Sequence, residues 1–222
     1  MKSILAYGDS NTWGLIPGTY PDLKRYDEEI RWTRRLEKKL EDVRIIEEGL
    51  CGRTTVFEDA LRPGRRGVSM LSAVAESHAP FDGAIIMLGT NDCKTVYGAT
   101  AHTIGRGLEL CLRVLERYLT PEKILVVSPI LLGEEVWRPE KDPEFDLKSI
   151  ETSKGLKAVY REVARRHGTA FLAASDYVGP DPEDDEHLNE EGHRILAEVL
   201  KKAIEENFTE CFYEELVKKK AI

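Results

Sequence analysis

Short apolar runs alternate along the chain with longer segments in which apolar residues recur every three or four positions. The runs at 3–7, 44–47, 83–88, 123–128 and 169–173 have the length and aliphatic content of buried strands. Between them, segment 28–40 places Ile30, Leu36 and Leu40 on one side, and segments 102–119 and 149–167 repeat the same helical period. This alternation predicts βαβ units: an α/β fold with a central parallel sheet covered by helices on both faces, right-handed crossovers, and functional loops at the carboxyl ends of the strands. Asn189 followed by Glu190-Glu191 reads as a helix N-cap with an acidic first turn. That helix would bury Ile195, Leu196, Val199, Leu200 and Ile204, and a second short apolar pattern, Phe208, Phe212 and Leu216, marks 208–222 as a C-terminal extension. Segment 129–147 has no period and contains Trp137, Phe145 and three prolines, the pattern of a long loop that walls a site or meets another subunit.

Composition narrows the picture. With 222 residues, 41% of them hydrophobic, the chain supports one substantial core, and a single domain over 1–222 is expected. A formal charge of -8 repels polyanions, so neither nucleic acid nor an anionic membrane is an expected partner. The first apolar run ends at Gly8-Asp9, short of a signal peptide, and no run approaches the roughly 20 apolar residues of a membrane span. A cytoplasmic location is the expectation. Cys51, Cys93, Cys111 and Cys211 are scattered without a Cys-x-x-Cys pair, so reduced thiols are expected and no metal site is signalled.

Four polar clusters fall at the ends of predicted elements. Gly8-Asp9-Ser10 follows the first strand, Gly49-Leu50-Cys51-Gly52-Arg53 the second, and Gly89-Thr90-Asn91-Asp92 the third; Asp184-Asp185-Glu186-His187 precedes the last helix. A serine hydroxyl is a poor nucleophile until a base takes its proton, and a histidine with a pKa of about 6.5 serves at neutral pH. Ser10 and His187 fit those roles, and Asp184, three residues before the histidine, can turn back to hold its Nδ1 proton. Negative charge on a tetrahedral intermediate needs fixed donors, for which Ser10, Gly52 and Asn91 are the candidates. Trp13, Lys94 and Tyr97 lie near these blocks in sequence and are candidate substrate-binding residues. His193 falls on the apolar side of its helix and reads as a packing residue.

In these blocks the chain resembles the SGNH or GDSL hydrolases. The resemblance to their arylesterase and acyltransferase branch is carried by Gly8-Asp9-Ser10-Asn11-Thr12-Trp13-Gly14, Arg31-Trp32-Thr33, Ile46-Glu47-Glu48-Gly49-Leu50 with Arg53-Thr54-Thr55, and Ile85-Ile86-Met87-Leu88-Gly89-Thr90-Asn91-Asp92. It implies a flavodoxin-like three-layer α/β/α sandwich, a Ser10, Asp184, His187 triad, oxyanion donors at Ser10, Gly52 and Asn91, no cofactor, and a homo-oligomer. The activity implied is that of a serine esterase acting on small acetyl or aryl esters, with acyl transfer to alcohols as a second outcome. A carbohydrate O-acetylesterase is the runner-up. A non-catalytic flavin- or nucleotide-binding module is the rival from another class, although it leaves Asp184 and His187 without a role. The last block departs from the family's common Asp-Gly-apolar-His: Asp185 and Glu186 add two carboxylates beside the base, which would raise the histidine pKa and disfavour anionic substrates.

Overall fold

The computed structural model describes the backbone of residues 1–220 and the side chains through residue 208. Among these, β1 (Lys2–Gly8), β2 (Val43–Gly49), β3 (Gly83–Met87), β4 (Ile124–Ser128) and β5 (Ala170–Ala173) form one parallel sheet in the order β2-β1-β3-β4-β5. After the single turn α1 (Ser10–Trp13), the helices are α2 (Trp32–Lys39), α3 (Gly67–His78), α4 (Ala101–Leu115), α5 (Leu147–His167) and α6 (Glu190–Lys220).

Side chains alternate across a strand, so the three inner strands each feed two cores. Leu5, Tyr7, Ala84, Ile86, Ile124 and Val126 join α3, α4 and α5 on one face. Ile4, Ala6, Ile85, Met87, Leu125 and Val127 join α2 and α6 on the other. These strands have no solvent face, and for that reason they read as unbroken apolar runs. The expected three-layer sandwich is what forms. Burial of each aliphatic side chain in such a core contributes about 1.5–3 kcal/mol.

The helix boundaries differ from the periodic segments for local reasons. Residues 28–31 form a turn, and Arg31 points its guanidinium inward to Glu47 (2.9 and 3.0 Å) and the Tyr26 carbonyl (2.8 Å). Helix α5 starts at Leu147, before the first periodic residue, because Asp146 and Ser149 form a capping box. Helix α4 ends at Leu115, and the Leu119 amide folds back onto the Leu115 carbonyl (3.0 Å). Helix α3 has no counterpart in the periodic pattern: Gly67, Ser69 and Ser72 dilute it, and its buried residues are only Gly67, Leu71 and Ala75. Helix α6 runs on past 208 without a break, and Phe208 closes the second core; the side chains of Phe212 and Leu216 lie outside the described residues. The 129–147 loop is fastened to its own chain by buried Ile130, Leu132, Val136 and Phe145.

Candidate active site

From β1 the chain crosses to β2 on one side of the sheet, and β3 then pairs on β1's other side, so the connections after β1 and β3 diverge. The crevice that opens at the carboxyl ends of such strands is where ligands bind in open α/β sheets. Ser10 stands at this switch point after β1, and Asn91 faces it after β3.

Asp9 caps α1, its Oδ1 accepting the Asn11 amide at 3.0 Å, and Gly14 ends the turn in the left-handed region at φ 88°. Ser10 is therefore the first residue of a one-turn helix, where the amide has no intrahelical acceptor. The turn lies close on the strand. A Cβ on Gly8 would come within 2.0 Å of the Thr12 hydroxyl, so only glycine lets the chain reverse there.

The connection before α6 brings His187 to the serine. The Ser10 hydroxyl lies 2.9 Å from His187 Nε2, and His187 Nδ1 lies 2.8 Å from Asp184 Oδ2. An ionised carboxylate only accepts, so the Nδ1 proton points at Asp184 and leaves Nε2 free to take the serine proton. Asp184 is held in turn by the amides of Glu186 (3.0 Å), His187 (2.9 Å) and Gly18 (3.0 Å). Burial alone would raise its carboxyl, but the His187 hydrogen bond and charge, with the His187 and Glu186 amides, hold it down at about 2.

Asn11 fixes the two loops in register. Its Oδ1 accepts the Leu188 amide at 2.9 Å and its Nδ2 donates to the Glu186 carbonyl at 3.2 Å, so one buried amide grips the chain on both sides of His187. Trp32 Nε1 donates to the Asn11 carbonyl (3.0 Å), and the Trp32 amide donates to His193 Nδ1 (3.3 Å). His193 is fully buried edge-on to Tyr26, and burial drives its pKa down to about 3, in keeping with a neutral packing role. Of the other histidines, His78 bonds Glu48 (2.8 Å), His167 bonds Glu116 (2.5 Å) and His102 is exposed.

Opposite the serine, Gly52 takes φ 82°, open to glycine at little cost, in a turn held by Arg65 Nε on the Cys51 carbonyl (3.1 Å). Asn91 Nδ2 donates one hydrogen to the Arg53 carbonyl (3.2 Å), which leaves the second for the crevice. Arg53 lies over the Tyr7 ring at 4.0 Å and donates to the carbonyls of Gly8 (2.8 Å) and Glu48. Asp92 accepts the Thr55 amide (2.9 Å) and hydroxyl. The ends of β1, β2 and β3 are thus tied together beneath the donors. Among the described residues, the Ser10 and Gly52 amides have no protein acceptor and border the same cavity as Asn91. Burial pushes the Asp92 carboxyl up to about 7 and that of Asp9 up to about 6, each against the pull of its own hydrogen bonds.

The cavity above Ser10 holds about 190 Å³ and is walled by the 129–147 loop through Glu140, Lys141, Asp142, Pro143 and Glu144. Lys94 lines it, paired with Glu144 and 3.8 Å from Asp142. Trp13 and Tyr97 do not line it: Trp13 sits under Arg25 at 5.3 Å, and Tyr97 stacks on Phe57 at 4.8 Å. Cys51 does, but burial pushes its thiol up to about 12, so it stays protonated at neutral pH. A larger groove of about 510 Å³ along edge strand β2 has no serine or cysteine in its lining.

The two added carboxylates part company. Asp185 adopts φ 58° and turns away from His187: its Oδ2 accepts Lys141 Nζ (2.8 Å) and the Glu135 amide (2.9 Å), pinning the wall loop. Glu186 turns inward, 5% exposed, with Oε1 3.8 Å from His187 Nε2. Burial alone would lower the His187 pKa, but the Glu186 carboxylate and then Asp184 raise it above the ordinary histidine value. Burial pushes Glu186 up as well, against the pull of His187. The expectation that both carboxylates act on the base therefore holds for Glu186 alone. Asn11 and Arg53 lie in the sequence blocks that mark the site but had no role there, and the loop carboxylates Asp142 and Glu144 carried no sequence signal.

A hydroxyl, a tethered imidazole and a row of amides meet at the switch point of a doubly wound sheet, an arrangement suited to nucleophilic attack by a serine. The chain belongs to the GDSL-like Lipase/Acylhydrolase family, whose profile matches residues 6–195, and is an SGNH-type carboxylic ester hydrolase. Its fold matches the native aryl esterase of M. smegmatis with a TM-score of 0.84 and 31% identity over 93% of this chain and 100% of that one. It matches a carbohydrate acetylesterase from Sinorhizobium meliloti with a TM-score of 0.83 and 32% identity over 92% and 98%. A lipase/acylhydrolase from Enterococcus faecalis, 21% identical over 92% of this chain and 95% of that one with a TM-score of 0.64, shares the fold. No curated protein matches the chain in sequence. Membership of an esterase family sets aside the flavin- or nucleotide-binding reading. Among the described residues no helix is long and apolar enough to cross a membrane.

Proposed function

We propose that the protein hydrolyses small acyl esters through an acyl-enzyme on Ser10. The observation that carries this reading is the unbroken chain from Ser10 Oγ to His187 Nε2 (2.9 Å) and from Nδ1 to Asp184 (2.8 Å). Ser10 Oγ attacks the ester carbonyl while its proton passes to His187 Nε2. The Ser10 and Gly52 amides and Asn91 Nδ2 receive the charge on the former carbonyl oxygen. As the tetrahedral species collapses, the ester C–O bond breaks and the departing alkoxide takes the proton from Nε2. Water then repeats the sequence on the acyl-enzyme and releases the acid, and an alcohol in place of water yields a new ester. No step calls for a cofactor.

The cavity volume favours short acyl groups. With aryl esters from acetyl to octanoyl, kcat/KM is expected to be greatest at acetyl or propionyl and to fall at least tenfold by octanoyl; a preference for octanoyl would contradict this. Acetylated sugars in the same panel, and an added alcohol, separate an arylesterase from a carbohydrate O-acetylesterase and hydrolysis from transfer. Both likenesses at about 30% identity support the ester class without choosing between its members.

Glu186 supplies a second expectation. The base must be neutral, and its pKa is raised by the adjacent carboxylate, so the acid limb of kcat/KM lies above the ordinary value of about 6.5. Glu186→Gln removes the charge that stabilises the imidazolium, and the limb should move to lower pH. An unchanged profile would mean that Glu186 carries no charge while the enzyme works.

Assembly into a homo-oligomer through the 129–147 loop, and a cytoplasmic location, belong to the same reading. Trp137 on that loop is 40% exposed, and Cys51, Cys93 and Cys111 are free thiols, as a reducing compartment allows. Light scattering at micromolar concentration is expected to give a multiple of the 25.1 kDa chain; a monomer would overturn the assembly.

A further inference from the structure

We propose that Glu186 is a specificity-determining residue for the alcohol half of the ester, where its carboxylate accepts a hydrogen bond from a second hydroxyl beside the ester oxygen. This rests on the esterase reading above and goes beyond it in assigning a recognition role that neither the triad nor the oxyanion donors need.

The argument starts from where the alcohol must lie. The departing oxygen takes its proton from His187 Nε2, so it sits within about 2.6–3.2 Å of that nitrogen when the bond breaks. Glu186 Oε1 lies 3.8 Å from the same nitrogen. The carboxylate thus borders the alcohol subsite, on the opposite side of the imidazole from Asp184, and a hydroxyl vicinal to the ester oxygen, one carbon further along the alcohol, comes within its reach.

The carboxylate is also free to bind. Glu186 is 95% buried by its 5% exposure, lines the cavity, and among the described residues its side chain accepts no hydrogen bond from the protein. Neighbouring charges are otherwise engaged: Asp184 by His187 and three amides, Asp185 by Lys141, and Glu144 by Lys94 and Arg62. An enclosed carboxyl that opens only onto the cavity is poorly solvated, and a bound hydroxyl relieves that cost. The rest of the wall fits the same ligand chemistry. Lys94 and Lys141 offer donors and Asp142 an acceptor around one small space, which suits hydroxyls that both donate and accept. A purely alkyl alcohol leaves Glu186 unmatched, and a cation would face Lys94.

The test compares two acetates with the same acyl group and the same three-carbon skeleton in the alcohol: 1-monoacetin, which carries two further hydroxyls, and propyl acetate, which carries none. The readout is the ratio of their kcat/KM values, taken on the alkaline plateau of each enzyme so that the effect of Glu186 on the base does not enter. Wild type should favour 1-monoacetin by about tenfold or more. Glu186→Leu should cut that ratio by about ten- to a hundredfold, the scale of a hydrogen bond to a charged group. Glu186→Gln, which keeps an acceptor without the charge, should fall between them. A wild-type ratio near one, or a ratio within twofold of wild type in Glu186→Leu, would overturn the proposal. If the leucine variant does not fold, the glutamine ratio decides, and a value equal to wild type counts against it. Undiminished turnover of both acetates by Ser10→Ala would instead overturn the esterase mechanism itself, so the two failures are distinct.

Discussion

Replacing Ser10 or His187 with alanine is expected to lower kcat by about 10⁴–10⁶-fold, the scale seen when one member of a hydroxyl–imidazole unit is lost. The Ser10→Ala protein keeps its base but has no atom to bond to the acyl carbon. The His187→Ala protein keeps the hydroxyl, 3% exposed, with nothing to take its proton. Because the two act as one unit, the double variant should be about as slow as either single one and not the product of both losses. The fold should survive. The Ser10 side chain contacts His187 across the crevice, and α1 is held by Asp9 and Gly14, which the substitution leaves in place. A thermal unfolding midpoint near that of wild type would establish this. Near-normal ester turnover by a folded Ser10→Ala protein would reject the mechanism.

The next largest effect is expected at Asn91. Asn91→Ala should lower kcat by about 10²–10³-fold, or about 2.7–4 kcal/mol of transition-state stabilisation, with little change in KM. Its side-chain amide is fixed before substrate arrives, because one hydrogen is committed to the Arg53 carbonyl and the backbone around it is held by Asp92 on Thr55. The other hydrogen then meets charge that exists only when the carbonyl oxygen becomes an oxyanion, which is why the loss falls on kcat. A defect confined to KM would make Asn91 a substrate-binding residue.

Much of this architecture was legible from local pattern. β1, β3 and β4 stand out because both their faces are buried, and the order of the four polar clusters predicts the crevice because strand ends are where a parallel sheet exposes side chains. The pairing of Asp184 with His187 follows from a three-residue spacing. What was not legible depends on direction and on distance along the chain. Asp185 and Glu186 are adjacent and alike in charge, yet the left-handed backbone at Asp185 sends one to the wall loop and leaves the other against the imidazole. Asn11 grips a loop 175 residues away, a contact that no local period encodes. Trp13 and Tyr97 follow site blocks in sequence, but Arg25 and Phe57 engage them outside the cavity. Helix α3 was hidden by its glycine and serines, since its place is set by tertiary packing more than by propensity.

The central claim, that Ser10 becomes acylated, is tested most directly by a p-nitrophenyl phosphonate ester, whose phosphorus forms a stable bond to an activated serine as p-nitrophenolate leaves. Intact mass, peptide mapping and residual activity are read on the same sample. The account predicts one phosphonyl group per chain on Ser10, activity lost in proportion to labelling, and no label on the Ser10→Ala protein. Label on another residue with parallel loss of activity, or full activity in a protein labelled at Ser10, would contradict it.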